Sequence, residues 1–369
     1  MGSRTSRQVL AAGLVTLFIV GLCILLFWSK LHKVAGKSFR PEFQKGMTYA
    51  TWNKDALGSP FSDTSLERLK ATNTEWVAFV PAWYQAQYNS TEITPSQKTP
   101  TDENLVHAMG RAHQLGMKVM LKPQLDLSEG SGVNWRGEID FPDDAGWRAW
   151  FESYTKFIVH YATLAEQNRV ELFCVGTELT NAAAWHEALW RDVIRRVRDV
   201  YHGPLTYAAN WNEEYQLIKF WDALEYAGLD PYFPLTEQEV PTLAQLREGW
   251  LKHLPDIESW QQRINKPILI TEVGYKSVVG AAQAPWEDAP NPVSLELQRD
   301  CYQAFFEIFW SKPWFYGVYW WHWGTNEKMG GEGHRGFTPQ NKPAQALLTE
   351  WYGAKTPARR WPLPQPKSR

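Results

Sequence analysis

The stretch ILITEVGY, residues 268–275, joins a short apolar run to an acidic side chain, Glu272. A run of this length and composition predicts a buried β-strand. The stretch ELFCVGTEL, residues 171–179, has the same pattern, a short apolar run followed by an acidic side chain, here Glu178. Desolvating a carboxylate directly after an apolar strand is costly, so both glutamates are candidate functional residues.

Short apolar runs of this kind alternate with longer helical stretches along most of the chain. We predict eight strands, at residues 46–50, 76–81, 118–123, 171–176, 205–210, 227–230, 267–271 and 316–321. The helical stretches are 62–73, 102–115, 144–167, 184–201, 242–264 and 294–310. Eight such units predict an α/β fold, a (β/α)8 TIM barrel over residues 44–353, with its active site at the carboxyl ends of the strands.

Composition narrows the class of protein further. The chain has 369 residues, enough for one large barrel, and 38 basic against 40 acidic side chains give a net charge of −2. That balance argues against a nucleic-acid partner. The 21 Trp residues outnumber both the 15 Tyr and the 17 Phe, and flat rings with a polar edge suit ligands with apolar faces, such as sugars.

An uncharged run precedes the predicted barrel. After a short tail of residues 1–8, VLAAGLVTLFIVGLCILLFW spans residues 9–28, long enough to cross a membrane as one helix. We therefore expect a transmembrane anchor, a linker at 29–43 and, behind the barrel, a C-terminal tail at 354–369. The flanking basic residues do not decide the orientation. We place the barrel outside the cytoplasm, periplasmic or extracellular, because the substrate argued below is expected there.

Glu178 and Glu272 end the fourth and seventh predicted strands, on roughly opposite sides of an eight-stranded barrel. Hydrolysis of a glycosidic bond needs such a pair, one carboxyl to protonate the leaving oxygen and the other to attack or to activate water. A separation of about 5 to 5.5 Å indicates retention and one of about 6.5 to 9.5 Å inversion, which the residues alone leave open. A rim salt bridge or a helix cap is the alternative role for each glutamate.

Eight segments resemble glycoside hydrolase family 113, a β-mannanase family within the clan of retaining TIM-barrel glycosidases. They are GMTYATW (46–52), PAWYQ (81–85), MLKPQLD (120–126), VGTEL (175–179), YAANW (207–211), LDPYFP (229–234), ILITEVGY (268–275) and YWWHWG (319–324). The resemblance extends over residues 46–351. It implies Glu178 as the acid/base, Glu272 as the nucleophile and a β-linked mannan-type oligo- or polysaccharide as the substrate.

The chain departs from the family pattern at two positions. Most of the clan has Asn directly before the acid/base, whereas this chain has Thr177, so the contact with the sugar 2-hydroxyl must come from elsewhere, for which Asn210 is a candidate. Family members often have His after the Lys-Pro of the third strand, where this chain has Gln124. These departures bear on the subsite that would hold the mannose ring.

Aromatic and amide side chains near the strand ends are the candidate substrate-binding residues. Aromatic residues beyond a strand either stack on sugar or fill the barrel mouth, and of two adjacent residues in a strand only one faces the site. Tyr232 bonds the nucleophile or packs at the rim, and Lys122 bonds sugar hydroxyls or a neighbouring carboxylate. The full set is Trp52, Trp83, Tyr84, Lys122, Gln124, Asn210, Trp211, Tyr232, Trp320 and Trp321.

The sequence predicts no cofactor. His322 and His334 lack the spacing of metal ligands, and Cys23, Cys174 and Cys301 form neither a metal motif nor a disulfide framework. We expect a monomeric catalytic domain whose partners are a saccharide and, through the anchor, a membrane. Two alternatives remain: the same mechanism on a β-glucan or galactan, and a non-catalytic carbohydrate-binding protein of the cell envelope.

Overall fold

The computed structural model describes residues 39–128, 134–287, 290–359 and 361–362. The described residues from Pro41 onward belong to one compact unit. The predicted anchor at residues 9–28 lies outside the described residues, as do residues 1–8 and most of the linker. Within the described ranges, none of the helices combines the length and the apolar character needed to traverse a bilayer.

Eight parallel strands close into a barrel, which confirms the predicted fold class. In chain order these strands are β1 (Gln44–Tyr49), β2 (Trp76–Phe79), β4 (Lys118–Leu121), β6 (Leu172–Thr177), β7 (Leu205–Asn210), β8 (Ala227–Asp230), β9 (Ile268–Val273) and β10 (Phe315–Trp323). Around the barrel the order is β1-β10-β9-β8-β7-β6-β4-β2, so neighbours in sequence are neighbours in the sheet. The carboxyl ends of all eight therefore meet at one mouth.

Two short strands lie beyond the barrel and were not predicted. They are β3 (Ala82–Gln85) and β5 (Gln124–Leu127), which pair in parallel with Ala82 opposite Gln124. We predicted single strands through 81 and 123, but Pro81 and Pro123 lack the N–H that continues a ladder, so the barrel strands end before them. The chain beyond each proline forms a separate two-stranded sheet.

Nine α-helices lie between or after the strands in the described part of the chain. They are α1 (Pro60–Lys70), α2 (Asp102–Gln114), α3 (Asp144–Gln167), α4 (Thr180–Trp185), α5 (Glu187–Arg198), α6 (Glu214–Leu217), α7 (Leu243–Ile264), α8 (Leu295–Phe309) and α9 (Pro343–Gly353). The helix predicted at 184–201 is two helices, separated at His186. A 3-10 turn, Arg136–Glu138, follows β5 and brings an arginine towards the barrel mouth.

Most of the tryptophan surplus belongs to the core between the barrel and its helices. Six of the largest side chains with less than 2% exposure are indoles: Trp150, Trp190, Trp250, Trp260, Trp320 and Trp323. The adjacent strands β7 and β8 lie so close together that a Cβ on Gly228 in β8 would lie 2.3 Å from the carbonyl oxygen of Tyr207 in β7. The abundance of Trp therefore reflects packing first and ligand binding only at a few positions.

Candidate active site

A cavity of about 700 Å³ opens at the carboxyl ends of the strands. It combines two carboxylates with amide, guanidinium and aromatic side chains: Gln124, Trp135, Arg136, Glu178, Asn210, Trp211, Asn212, Tyr232, Glu272, Trp286, Trp321 and Phe337. Glu178 is 8% exposed and Glu272 is 9% exposed. The structure thus brings both predicted glutamates to the same cavity.

Glu272, within β9, receives two hydrogen bonds on its carboxylate. The ammonium of Lys122 donates to Oε2 at 2.6 Å, and the hydroxyl of Tyr232 donates to Oε1 at 2.7 Å. Burial lowers the pKa of Lys122, but the charges of Glu272 and Asp230 outweigh it and raise that pKa above the usual value. The lysine is therefore a permanent cation beside Glu272, and both donors stabilise the charged carboxylate.

Glu178, directly after β6, has different partners. Arg136 Nη1 donates to its Oε2 at 2.7 Å, and Asn210 Nδ2 donates to its Oε1 at 2.8 Å. Burial raises the pKa of Glu178; the Arg136 charge opposes this rise, and the charge of Glu272 adds to it. A carboxyl with a raised pKa retains its proton to higher pH, which suits a general acid.

Arg136 is oriented by the strand that precedes it. Its Nε donates to the carbonyl of Leu125 at 3.1 Å, and its Nη2 lies 3.4 Å from Asp126 Oδ2. The guanidinium thus bridges Asp126 and Glu178. We did not predict this residue, because it follows no barrel strand and its loop carries no motif.

Asp230 is a further buried acid near Glu272, at the end of β8. The hydroxyl of Thr271 donates to its Oδ1 at 2.6 Å. Burial raises the pKa of Asp230 well above its usual value, with Lys122 acting in the opposite direction.

Five of the ten predicted substrate-binding residues line the cavity, namely Gln124, Asn210, Trp211, Tyr232 and Trp321. Lys122 is completely buried and donates a hydrogen bond to Glu272. Of the two roles that the sequence left open for this lysine, the structure shows the contact with a neighbouring carboxylate. Trp52 is 46% exposed and meets Trp321 edge-on, with 6.1 Å between ring centroids, beside the cavity.

Three predicted sugar contacts are not among the residues that line the cavity. Trp83 packs against α3 and donates its Nε1–H to the Tyr161 hydroxyl at 2.9 Å. Tyr84 is buried and its backbone pairs with Thr94. Trp320 is completely buried and stacks on Tyr302 at 3.6 Å. Trp83 and Trp320 point at helices because alternate side chains of a strand face opposite sides.

The cavity also contains aromatic residues that we did not single out: Trp135, Trp286 and Phe337. Trp286 is 50% exposed and stacks on Trp211, with centroids 5.1 Å apart and planes inclined by 25°. It comes from the long Pro-rich loop after β9. Loops at the carboxyl ends of barrel strands often contain binding and catalytic residues, so the position of Trp286 in such a loop could have predicted its place in the cavity.

No cluster of three or more His, Cys, Asp or Glu side chains suited to a metal ion occurs among the residues that the structure describes. Cys174 and Cys301 are buried free thiols.

A (β/α)8 barrel with two buried carboxylates in an aromatic cavity at its mouth is the architecture of a TIM-barrel glycoside hydrolase. The family profile of Glycoside Hydrolase Family 113 matches residues 47–342. The chain belongs to this family and is a glycoside hydrolase, which confirms the resemblance drawn from the sequence.

Solved structures agree with this assignment. A GH113 β-1,4-mannanase is 30% identical with a TM-score of 0.76, over 85% of this chain and 100% of that one. The GH113 β-mannanase AaManA from Alicyclobacillus acidocaldarius, in complex with ManMIm, is 29% identical with a TM-score of 0.74, over 84% and 97%. A β-glucuronidase from Ruminococcus gnavus, 15% identical with a TM-score of 0.58 over 85% and 50%, shares the fold. No curated protein sequence matches the chain.

Proposed function

We propose that this glycoside hydrolase cleaves β-linked mannan-type oligo- and polysaccharides with retention, using Glu178 as acid/base and Glu272 as nucleophile. The observation that carries the proposal is the contrast between two carboxyls of one cavity. Lys122 and Tyr232 stabilise the charge of Glu272, whereas burial raises the pKa of Glu178. The similarity to GH113 β-mannanases supports mannan as the substrate.

In the first step Glu272 attacks the anomeric carbon while Glu178 gives its proton to the leaving oxygen. The bond from the anomeric carbon to that oxygen breaks, and a covalent glycosyl–enzyme ester forms. Glu178 is then a carboxylate, whose charge the Arg136 guanidinium and the Asn210 amide stabilise.

In the second step Glu178 takes a proton from water, and the water oxygen attacks the anomeric carbon. The ester to Glu272 breaks, which restores its carboxylate between Lys122 and Tyr232. Two inversions at one carbon give net retention. The same arginine that opposes proton retention in the first step thus favours the base form needed in the second.

Sugar rings are proposed to stack on the tryptophans of the cavity. Trp211, Trp286 and Trp321 line it, and indole faces stack on the apolar faces of pyranose rings. Gln124 and Asn212 offer amide groups for the sugar hydroxyls. The side-chain amide of Asn210 already donates its N–H to Glu178, and its side-chain oxygen Oδ1 accepts a hydrogen bond from the backbone N–H of Asn212.

The test compares hydrolysis of manno-, cello- and galacto-oligosaccharides, with the anomer of the first product followed by NMR. We expect preference for the mannan series and retained configuration. Glu178→Gln and Glu272→Gln should each lower turnover at least about 10²-fold, because each removes a proton donor or a nucleophile. Glu103→Gln, at an exposed site on α2, is the matched control. Wild-type turnover in both cavity variants, or inversion, would contradict the mechanism.

We further propose that residues 9–28 anchor the enzyme, as a monomer, with its catalytic domain outside the cytoplasm. Twenty uncharged residues suffice to span the hydrocarbon core, and a polymeric substrate cannot cross the membrane. The full chain should stay with membranes after an alkaline wash, and a chain lacking 9–28 should not. Resistance of the catalytic domain to protease in spheroplasts would contradict the orientation.

A further inference from the structure

A completely buried glutamate, Glu214, lies behind the cavity and takes no part in the proposed steps. It is the first residue of α6, and three donors converge on its carboxyl. The backbone N–H of Asn210 and the hydroxyl of Thr180 donate to Oε2 at 2.8 and 3.2 Å, and the hydroxyl of Tyr207 donates to Oε1. Burying a carboxyl is costly unless such partners are present, so this side chain joins groups that must stay together.

The three donors lie on two segments of the chain, and each of these segments also contacts or contains Glu178. Thr180 follows Glu178 by two residues in the chain, whereas Asn210 ends the neighbouring strand β7. Asn210 also donates its side-chain amide to Glu178 Oε1 at 2.8 Å. Glu214 therefore connects the backbone on either side of the contact between Asn210 and Glu178.

A second connection passes through Tyr207. Its hydroxyl donates to Glu214 and accepts the backbone N–H of Leu179, the residue directly after Glu178, at 2.9 Å. The backbone N–H of Glu178 itself donates to the carbonyl of Ala208 at 2.8 Å. The segment 178–180 is thus fixed to β7 from both sides of the Glu178 side chain.

The backbone of Glu178 needs this support. Its φ is 52°, in the left-handed region that a residue with a Cβ rarely adopts. Such a conformation persists only when the surroundings determine it by several contacts, and it sets the direction in which the carboxyl points.

We propose that Glu214 is a positioning residue, which holds the general acid Glu178 against the leaving oxygen through Tyr207, Thr180 and Asn210. The inference rests on the proposed role of Glu178 as acid/base. Glu214 is completely buried and is not among the residues that line the cavity. Its effect on catalysis is therefore confined to steps in which Glu178 moves a proton.

The test uses the dependence of rate on the leaving group. In a manno-oligosaccharide the leaving group is a sugar hydroxyl, which departs readily only when Glu178 protonates its oxygen. In a 2,4-dinitrophenyl β-mannobioside the leaving group is a weakly basic phenolate, which departs without a proton. In Glu214→Ala we expect kcat/KM for mannohexaose to fall roughly 10- to 100-fold, because small misplacements of a catalytic group cost that much. For the dinitrophenyl substrate we expect a fall of less than about 3-fold.

Tyr207→Phe removes one of the two connections and should show a smaller loss with the same selectivity, which keeps the test decisive if Glu214→Ala fails to fold. Glu213→Ala, at the exposed neighbouring glutamate, is the control expected to match wild type. Circular dichroism checks the fold of each variant.

Equal losses on the two substrates in a folded variant would overturn the inference, as would wild-type kcat/KM for mannohexaose in Glu214→Ala. A wild-type enzyme that hydrolyses both substrates while the variants lack selectivity refutes only the role of Glu214. A wild-type enzyme inactive on both refutes the proposed function itself.

Discussion

At the scale of single residues, the two cavity glutamates differ because different atoms face them. Glu272 lies between an ammonium and a phenol, whereas Glu178 lies between a guanidinium and an amide. The carboxyls themselves are chemically equivalent. The different neighbours therefore distinguish the two carboxyls, and the proposed roles of acid and nucleophile rest on this difference.

Arg136 sets the pH range in which Glu178 keeps its proton. Because its charge lowers the pKa of Glu178 against the effect of burial, Arg136→Gln should raise that pKa. The alkaline limb of the pH profile of kcat/KM, where the general acid ionises, should therefore move to higher pH. Arg195→Gln, at an exposed site on α5, serves as control. A limb that stays in place or moves to lower pH would contradict this account.

At the scale of elements, β10 contains two adjacent tryptophans whose side chains lie on opposite faces of the strand. Trp320 faces outward, stacked on Tyr302 of α8, and Trp321 faces the cavity. The alternation of side chains along a strand requires this division. Adjacent identical residues therefore have different roles.

Substitutions in β10 should separate stability from binding. Trp320→Phe leaves a gap beside Tyr302, and we expect a loss of about 1 to 3 kcal/mol in the free energy of unfolding, with KM near wild type. Trp321→Phe should change stability by less than about 1 kcal/mol but raise KM for mannohexaose several-fold, since it reduces the stacking surface. Urea denaturation and steady-state kinetics measure the two effects. Finding the stability loss at Trp321 and the KM change at Trp320 would contradict the assignment.

Secondary-structure elements also show where local pattern is sufficient. Apolar periodicity located the barrel strands, and side-chain caps such as Ser294 begin helices where expected. Local pattern failed at two places. The prolines at 81 and 123 end two strands earlier than predicted, and the chain between β6 and α5 forms a separate helix, α4, next to Glu178.

At the scale of the whole molecule, two buried ionisable groups tie folding to pH in opposite directions. Burial raises the pKa of Glu214 to about 8, although hydrogen bonds from Tyr207 and Asn210 act against it. Burial lowers the pKa of Lys342 to about 7, where its ammonium donates to Ser277 Oγ and to the carbonyl of Gly336.

The sign of each contribution follows from proton binding. Native Glu214 binds its proton more tightly than the unfolded chain does, so its contribution is present below about pH 4.5 and is lost as the pH rises to about 8. Native Lys342 binds its proton less tightly, so stability increases from about pH 7 to about 10.5.

We expect Glu214→Gln to remove part of the decrease in unfolding free energy between pH 5 and 8, and Lys342→Met to remove part of the increase above pH 7. Urea denaturation at pH 5, 7 and 9 measures both slopes. The exposed substitutions Glu103→Gln and Lys252→Met should leave the slopes unchanged. A steeper slope in either buried variant would contradict the direction assigned to that group.

The sequence by itself determined the barrel and the two glutamates at its mouth. Both follow from local physics, because apolar periodicity defines a strand and the residue after it lies at the end of that strand. The tertiary structure decided the partners. Lys122 and Glu272 are 150 positions apart, and Arg136 reaches Glu178 from a turn that no motif marks. Such contacts exist only once the barrel closes, because closure brings together side chains that are far apart in the chain. Neither segment by itself contains a feature that predicts its partner.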